Sequence, residues 1–241
     1  MAEVNAERLA VNLEAVRQRI RDAERQAGRP AGSVQLLPVS KYHPVEAIAV
    51  LASLGVRLVG ENREQEARAK AQRLRESGIA GCGIAMIGQI QTKKANSVAR
   101  WASEVHSLDS VKLGRALERG VALAIERKER AAGPLPCLVQ VSVDGDPRRG
   151  GVSIADVDEL VATIEASQHL VLRGFMVVPP LGTEPEPVFT QVRAIVDATA
   201  QSLGRRLQFS AGMSGDFEQA IACGSDIVRV GTAVFGQRPV V

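Results

Sequence analysis

Aromatic residues are scarce in this chain of 241 residues, which contains one tryptophan, one tyrosine and 3% aromatics in total. Proteins that bind single-stranded nucleic acids stack the bases on aromatic side chains, so this scarcity argues against such a surface. An excess of one charge is also lacking, because 30 basic and 27 acidic residues leave a formal net charge of +3. A weakly basic chain of this kind suits a small anionic ligand at least as well as a nucleic acid.

Cysteine is sparse as well, and the three that occur, Cys82, Cys137 and Cys223, are far apart. An odd number at wide spacing argues against a disulfide framework and offers no metal-binding motif, so we expect no metal and a reducing compartment. No run approaches the length of about 18 apolar residues typical of a transmembrane helix, and the charged N-terminus lacks the apolar core of a signal peptide. These absences predict a cytoplasmic protein that does not enter a membrane.

A regular alternation of helical and extended patterns dominates the rest of the sequence. Residues 3–27 place apolar side chains at helical spacing and predict an amphipathic helix, which the segment GRPAG ends. Apolar, β-branched runs then predict eight strands, at 34–40, 56–60, 84–88, 104–108, 137–143, 170–177, 207–210 and 226–230. Helical patterns separate these runs, at 45–54, 62–77, 92–101, 110–131, 153–167, 186–203 and 215–223.

Strands that alternate with helices in this way form parallel sheets with crossover helices. Eight such units in a chain of this length predict an α/β fold, a single (β/α)8 TIM-type barrel preceded by an N-terminal helix. A doubly wound open sheet is the alternative. No shift in composition marks a second domain, so we expect residues 1–241 to form one domain.

The carboxyl ends of the strands are where such barrels bind their ligands. Two segments there are typical of phosphate cradles: SAGMSGD after the seventh predicted strand and RVGTAVFG at the end of the eighth. Their small residues let backbone amides approach an anion, and Ser214 can cap the helix that follows. Two ordinary helix caps would give the same pattern, and the spacing alone does not decide between them.

Lys41 ends the first predicted strand, in the segment VSKYHP. Alternation places it on the same face as Leu37 and Val39, and closure of the barrel would bring the last strand, with Arg229, beside it. A desolvated lysine near a cation loses its proton readily, and the free amine can form a Schiff base with an aldehyde. A phosphorylated aldehyde such as pyridoxal phosphate would satisfy both the amine and the cradle. The alternative is a strand-end lysine that reaches into water.

Several segments together carry a resemblance to a known family. They are VSKYHP, GENREQE, IGQIQTKKA, HSLDS, GFMVVPP, GMSGDFEQAI and VRVGTAVFG. They occur in the order found in the pyridoxal phosphate homeostasis proteins, and the resemblance extends over nearly the whole chain. It implies a barrel similar to the N-terminal domain of alanine racemase, bound pyridoxal 5'-phosphate, and no established catalytic turnover.

The resemblance also implies roles for particular residues. Lys41 would hold the cofactor as an internal aldimine, and Arg229 would face the pyridine nitrogen. Ser214 and the amides of Gly231 and Thr232 would hold the phosphate.

Asn62 and Met213 would lie against the cofactor. The implied partners are pyridoxal phosphate and the client enzymes that depend on it, with no nucleic acid and no membrane. We expect a monomer or a weak dimer.

The arginine implied at the ring nitrogen bears on catalysis. A guanidinium is only a donor, so it leaves that nitrogen unprotonated and a substrate carbanion poorly stabilised. Alanine racemases keep such an arginine but use a tyrosine, supplied by a second domain, on the other face of the ring. The one tyrosine here, Tyr42, is directed by alternation to the face of the strand opposite Lys41, and the predicted barrel leaves no length for a second domain.

We therefore expect a protein that stores, buffers or delivers pyridoxal phosphate and is not an enzyme, although weak side reactions through Lys41 stay open. A pyridoxal phosphate-dependent racemase or lyase is the alternative, and a sugar-phosphate enzyme on the same barrel is a third interpretation.

Three further features could bear on function, and the first two have two interpretations each. The charged helix at 62–77 is either a solvated face or a docking surface. The segment DGDPRRGG at 144–151 is either a mobile lid over the barrel or an exposed turn. His106 is interpreted as a hydrogen-bonded structural histidine, since no second ligand-type residue lies at a suitable spacing.

Overall fold

The computed structural model describes residues 4–79, 81–146 and 148–237, and eight parallel strands form the wall of a barrel within these ranges. The wall consists of β1 (Gln35–Pro38), β2 (Leu58–Glu61), β3 (Gly83–Met86), β4 (Glu104–Leu108), β5 (Leu135–Ser142), β7 (Leu170–Val177), β8 (Gln208–Ser210) and β9 (Ile227–Val230). The two-residue strand β6 (Val152–Ser153) pairs with β5 outside this wall.

The strands follow one another in the order β1-β9-β8-β7-β5-β4-β3-β2. Two contacts then join the ends of this order: Val39 bridges to Gly60, and the Ser40 amide donates to the Gly60 carbonyl at 3.0 Å. The wall is therefore a nearly closed barrel of parallel strands. The predicted (β/α)8 barrel is confirmed, and the open sheet is excluded.

Helices cover the outside of the wall. They are α1 (Ala6–Gln26), α2 (Val45–Ser53), α3 (Glu64–Glu76), α4 (Ala95–Trp101), α5 (Val111–Glu126), α6 (Val157–Glu165), α7 (Pro185–Leu203), α8 (Phe217–Ala222) and α9 (Thr232–Phe235). The Asn5 side chain caps α1 by accepting from the Arg8 amide at 2.8 Å, and α1 packs against α2, α8 and α9. Within the described ranges, no helix has the length and hydropathy that crossing a membrane requires.

Apolar side chains fill both sides of the wall, as parallel strands covered by helices require. The inside holds a small cluster formed by Leu37, Ala85, Leu138, Met176 and Ile227. A larger cluster lies between the strands and the helices, and it includes the fully buried phenylalanines Phe175, Phe189, Phe209 and Phe217. Burial on both faces explains why the sequence shows apolar runs instead of a strict alternation.

Two elements differ from the predictions. The pattern at 110–131 predicts a helix that ends five residues later than α5, which ends at Glu126. No large apolar residue follows Ile125 there to pack against the wall, and Lys128 adopts a left-handed φ of 57°. The sequence gives no signal for β6, because two residues show no periodicity. Neither difference changes the order of the strands.

Candidate functional site

The residues predicted to form a site lie at the carboxyl ends of four strands that are neighbours in the wall, β8, β9, β1 and β2. We call this end of the barrel the mouth. Strand by strand, the residues are Met213 and Ser214 after β8, Arg229 within β9 with Gly231 and Thr232 after it, Lys41 after β1, and Asn62 after β2. The fold thus brings six of them to one arc of the mouth, while Arg229 is set deeper.

Lys41 lies in a turn beyond β1 and not in the strand itself. The strand ends at Pro38, and the His43 amide donates to the Ser40 carbonyl at 3.1 Å, which closes the turn around Lys41. Ser40 is fully buried and Lys41 is half-buried. Tyr42 has a φ of 68°, a left-handed conformation that residues with a Cβ adopt at an energetic cost.

A buried ionic cluster, formed by Ser40, Glu61, Glu66 and Lys70, supports this turn. The Lys70 ammonium donates to the Glu61 carboxylate at 2.6 Å, the Glu66 carboxylate at 2.7 Å and the Ser40 carbonyl at 2.8 Å. The Ser40 hydroxyl donates to Glu61 at 2.5 Å, and the Tyr42 amide donates to Glu66 at 2.6 Å. Burial raises the pKa of Glu61, while the Lys70 charge and the Ser40 hydrogen bond oppose that rise. We refer to these four residues as the Lys70 cluster.

Sequence analysis missed the Lys70 cluster. The charged helix at 62–77 corresponds to α3, and its interpretation as a solvated face is wrong for Lys70, of which 7% is exposed. The spacing of four between Glu66 and Lys70 indicates an ion pair on one side of a helix. It does not indicate burial, which depends on the packing of that side against the ends of β1 and β2.

The loop after β8 closes into a tight turn. The Met213 carbonyl accepts from the amides of Asp216 and Phe217, at 3.2 and 3.0 Å, and the Met213 amide donates to the Asp216 carboxylate at 2.6 Å. Because α8 begins at Phe217 with Asp216 in the cap position, the prediction that Ser214 caps this helix is wrong. Ser214 and Gly215 instead form the tip of the turn.

Several backbone amides in the loops after β8 and β9 donate to no acceptor within the described residues; they belong to Ser214, Gly215, Gly231 and Thr232. The Arg229 amide donates to the Gly212 carbonyl at 2.9 Å, which holds the two loops side by side. On the other side of β9, the Val39 amide donates to the Val230 carbonyl at 2.9 Å, two residues before Lys41. Unpaired amides of this kind can bind an anion such as a phosphate. We call the segments 211–216 and 231–232 the cradle loops.

Arg229 lies inside the barrel, and the prediction that it stands beside Lys41 is wrong. In the register of β1 and β9 it pairs with Leu37, deeper in the wall. Its guanidinium extends away from β1 and donates to the Ser210 hydroxyl at 2.7 Å and the Val177 carbonyl at 2.8 Å. Alternation predicts the face on which a side chain lies, but it does not predict the depth of its charged end.

Arg229 makes no salt bridge with a described residue, although the charge of the Asp216 carboxylate, in the loop after β8, acts on it from a distance. The residue is 4% exposed, and burial lowers its pKa to about 10, so the guanidinium stays protonated at neutral pH. A buried cation is normally compensated by a carboxylate or by a bound anion. Its position therefore fits a ligand that brings hydrogen-bond acceptors into the mouth.

Asn62 is placed by close contact between two loops. A Cβ on Gly88 would lie 2.1 Å from the Asn62 carbonyl oxygen, so only glycine lets the segments after β2 and β3 come this near. The Ser107 hydroxyl donates to the Gly88 carbonyl at 2.7 Å and ties the contact to β4. Asn62 itself is exposed at the mouth.

His106 is fully buried on β4, and its Nε2 lies 2.9 Å from the Glu104 carboxylate. Burial lowers the pKa of His106 despite this contact, so the imidazole is neutral at neutral pH. This geometry supports the structural interpretation.

The segment DGDPRRGG is fastened to the barrel near the mouth; its Pro147 lies outside the described residues. The Arg149 side chain donates to the carbonyls of Val178 and Pro179, after β7, at 2.6 and 2.8 Å. The Gln140 side chain on β5 donates to the Arg149 carbonyl at 3.0 Å. These contacts make the segment a strap between β5 and the end of β7.

Comparison with known proteins identifies relatives along almost the whole chain. A family model described as alanine racemase, N-terminal domain, matches residues 11–239. The chain is 54% identical over 211 residues to a protein of Corynebacterium glutamicum named pyridoxal phosphate homeostasis protein, with 88% of this chain and 93% of that protein covered. A protein of the same name from Escherichia coli is 34% identical over 233 residues, with 95% and 97% covered.

Solved structures share the fold. PipY of Synechococcus elongatus, determined with pyridoxal phosphate bound, has a TM-score of 0.79 and 31% identity, covering 95% of this chain and 100% of PipY. Alanine racemase from Corynebacterium glutamicum has a TM-score of 0.64 at 18% identity, covering 98% of this chain and 62% of the racemase, and shows likeness of fold alone. The chain therefore belongs to the alanine racemase N-terminal domain family, among the pyridoxal phosphate homeostasis proteins.

Proposed function

We propose that this chain binds pyridoxal 5'-phosphate as an aldimine of Lys41 and stores, buffers or delivers it, without turning over a substrate. The observation that carries the proposal is the position of the Lys41 amine on the strand next to loops whose amides can bind an anion. Lys41 follows β1, and the unpaired amides follow β8 and β9, the next strands along the wall. The names of the relatives and the cofactor bound to PipY support the choice of ligand.

The cradle loops would hold the phosphate. The Ser214 hydroxyl has no partner within the described residues, so it is available together with the amides of Gly231 and Thr232. A Cβ on Gly231 would be in ordinary van der Waals contact with the Val39 carbonyl oxygen, at 3.4 Å, so this cradle loop lies next to the segment that leads to Lys41.

The ring of the cofactor would lie between the cradle loops and the end of β2. Met213 is 40% exposed, unusual for a large apolar side chain, and a bound ring would cover it. Asn62 would contact the ring from β2. Arg229 would face the ring nitrogen from below and donate a hydrogen bond to it. In this proposal residues 1–241 act as one binding domain.

Attachment through Lys41 is reversible by its chemistry. The ε-amine adds to the aldehyde carbon, a C=N bond forms and one water molecule leaves, and hydrolysis or transfer to another amine reverses the step. A reversible bond lets a carrier retain the aldehyde and release it unchanged. The carrier also protects the cell from a reactive aldehyde in free solution.

The surroundings of Lys41 do not favour two-base racemisation. Tyr42, the one tyrosine of the sequence, lies under the Arg63 guanidinium, whose carbon is 5.2 Å from the ring centroid. Its amide donates a hydrogen bond to the Glu66 carboxylate on α3. Arg229 would keep the ring nitrogen unprotonated and the cofactor a weak electron sink.

Titration of the protein with pyridoxal phosphate tests the binding proposal through the absorbance of the aldimine. We expect the band to saturate in the wild type and in the control Lys112→Met, which removes an exposed lysine of α5. The band should be absent from Lys41→Ala. An undiminished band in that variant would overturn the assignment of Lys41.

The non-catalytic part of the proposal is tested with the loaded protein in deuterated water. Incubation with L- and D-alanine should give only slow exchange of the α-proton. Rapid exchange would favour the racemase or lyase interpretation. Phosphate binding without any aldimine would favour the sugar-phosphate enzyme.

A further inference from the structure

We infer that Lys70 and Glu66 are positioning residues for Lys41, because they hold the residues on either side of it and so direct its amine into the mouth. This inference rests on the proposed function, since the task it assigns is the alignment of the amine that forms the Schiff base. Both residues are on α3, and their hydrogen bonds within the described residues are to each other and to Ser40, Tyr42 and Glu61.

Lys70 and Glu61 hold the residue before Lys41. Lys70 donates to the Ser40 carbonyl at 2.8 Å, and that carbonyl belongs to the peptide group that leads into Lys41. The Ser40 hydroxyl is fixed in turn by Glu61 at the end of β2. Ser40 is therefore held through its backbone and its side chain by the same cluster, and both contacts are fully buried.

Glu66 holds the residue after Lys41. Tyr42 has a φ of 68°, and such a conformation persists in a residue with a Cβ only where the surroundings hold it in place. One contact that holds it is the 2.6 Å hydrogen bond from its amide to the Glu66 carboxylate. Lys70 keeps that carboxylate in place at 2.7 Å.

One ammonium group therefore links the backbone on both sides of Lys41. The side chain of Lys41 leaves the chain between two peptide groups that cannot rotate freely, so its direction is restricted before a ligand arrives. Pre-organisation of a reacting group increases its effective concentration at the target atom. A relaxed turn would leave the phosphate site intact and the amine misdirected.

Stability alone does not explain a buried ionic cluster at this position. Replacing a buried ion pair with apolar residues of similar volume is often neutral or stabilising, because two charges need not be removed from water. An apolar side chain at position 70 would also pack α3 against the wall. What an apolar side chain cannot supply is hydrogen bonds to the Ser40 carbonyl and to Glu66.

The test compares two ligands that share the phosphate and the ring. Pyridoxal phosphate forms the Schiff base, whereas pyridoxine phosphate carries an alcohol in place of the aldehyde and binds without covalent attachment. Glu66→Ala removes the acceptor for the Tyr42 amide, and Lys70→Met combined with Glu61→Gln removes the ammonium without leaving a buried carboxylate unpaired. The controls are Glu76→Ala, exposed on the same helix, and Lys112→Met.

We expect both test variants to weaken pyridoxal phosphate binding by about tenfold or more, the scale of a misplaced reacting group. Their dissociation constants for pyridoxine phosphate should stay within about twofold of the wild type, and the controls should change neither value. Equal weakening for both ligands, or no weakening for either, would overturn the inference. Glu66 is partly exposed, at 24% of its side chain, so its variant remains informative if the double variant does not fold.

The failure of this inference and the failure of the proposed function are distinguishable. If the wild type forms no aldimine on Lys41, the proposed function fails. If the wild type forms it and Glu66→Ala binds both ligands normally, only the positioning role fails.

Discussion

At the scale of single residues, the proposed site depends on groups that the chain leaves without partners. The Ser214 hydroxyl and the amides of Ser214, Gly215, Gly231 and Thr232 have no hydrogen-bond partner within the described residues, and Arg229 makes no salt bridge there. Polar groups that are not used by the protein itself are available to bind an anion such as a phosphate. The strongest evidence for a ligand is therefore the distribution of unsatisfied groups around the mouth.

Replacing Ser214 with alanine tests this view directly. Loss of one hydrogen bond to a charged phosphate should weaken pyridoxal phosphate binding by about 1–2 kcal/mol. Equilibrium dialysis of Ser214→Ala measures the change, with Ser202→Ala, exposed on α7, as the control. An unaltered dissociation constant in Ser214→Ala would remove this residue from the site.

Residue-level prediction from the sequence succeeded where the signal was local and failed where it depended on packing. The position of Lys41 at the end of the first strand follows from one apolar run and the VSKYHP segment. The Lys70 cluster joins three elements, and no local pattern reports that junction. Arg229 shows the same limit, because closure of the barrel predicted that its strand lies beside β1 but not that its side chain extends towards Val177.

At the scale of elements, α5 offers an internal comparison between two glycines in the same helix. A Cβ on Gly114 would meet its nearest atoms at 3.8 Å, which is ordinary contact. A Cβ on Gly120 would lie 3.0 Å from the Ala99 Cβ and 3.2 Å from the Asn96 Cα on α4. Gly120 therefore permits the close packing of α4 against α5, whereas Gly114 has no such role.

We expect Gly114→Ala to stabilise the protein by about 0.5–1 kcal/mol, because alanine restricts the unfolded chain and favours the helix. Gly120→Ala should show no gain or a loss, since the backbone of α4 must move. Urea unfolding of the two variants, compared at the same temperature, measures the difference in the free energy of unfolding. Equal stabilisation by both substitutions would contradict the packing described for α4 and α5.

The elements themselves were largely predictable because apolar runs and helical spacing recur regularly along the chain. All eight predicted strands correspond to strands of the wall, with ends that differ by a few residues. The α5 pattern predicted too long a helix, because charged residues after Ile125 fit a helix but have no core to pack against. β6 is set by its pairing with β5, which is a tertiary contact.

At the scale of the whole molecule, the barrel buries titratable groups whose protonation is linked to folding. Burial lowers the pKa of His106, and burial followed by the nearby Lys70 charge lowers that of His43. Below the ordinary histidine pKa of about 6.5, the unfolded chain binds protons that the folded chain does not. The contribution of these two histidines to stability is therefore present above about pH 6.5 and decreases as the pH falls. The raised pKa of Glu61 has the opposite effect on stability. Its contribution to stability is present at low pH and is lost as the pH rises through the pKa of Glu61 in the folded chain.

The free energy of unfolding should consequently decrease as the pH is lowered from about 7.5 to about 5. His106→Gln should reduce this slope by up to about 1.4 kcal/mol per pH unit, the limit for one proton. Urea titrations of the wild type and the variant at several pH values measure the two slopes. Identical slopes would show that His106 is not buried in the neutral form.

The central claim of the account is that Lys41 forms the covalent bond to pyridoxal phosphate at the mouth of the barrel. The most direct measurement is to load the protein with the cofactor, reduce it with sodium borohydride, digest it and identify the labelled peptide by mass spectrometry. The account predicts a reduced pyridoxyl phosphate group on Lys41 and on no other lysine. A label on a different lysine, or no label after reduction of a fully loaded sample, would contradict it.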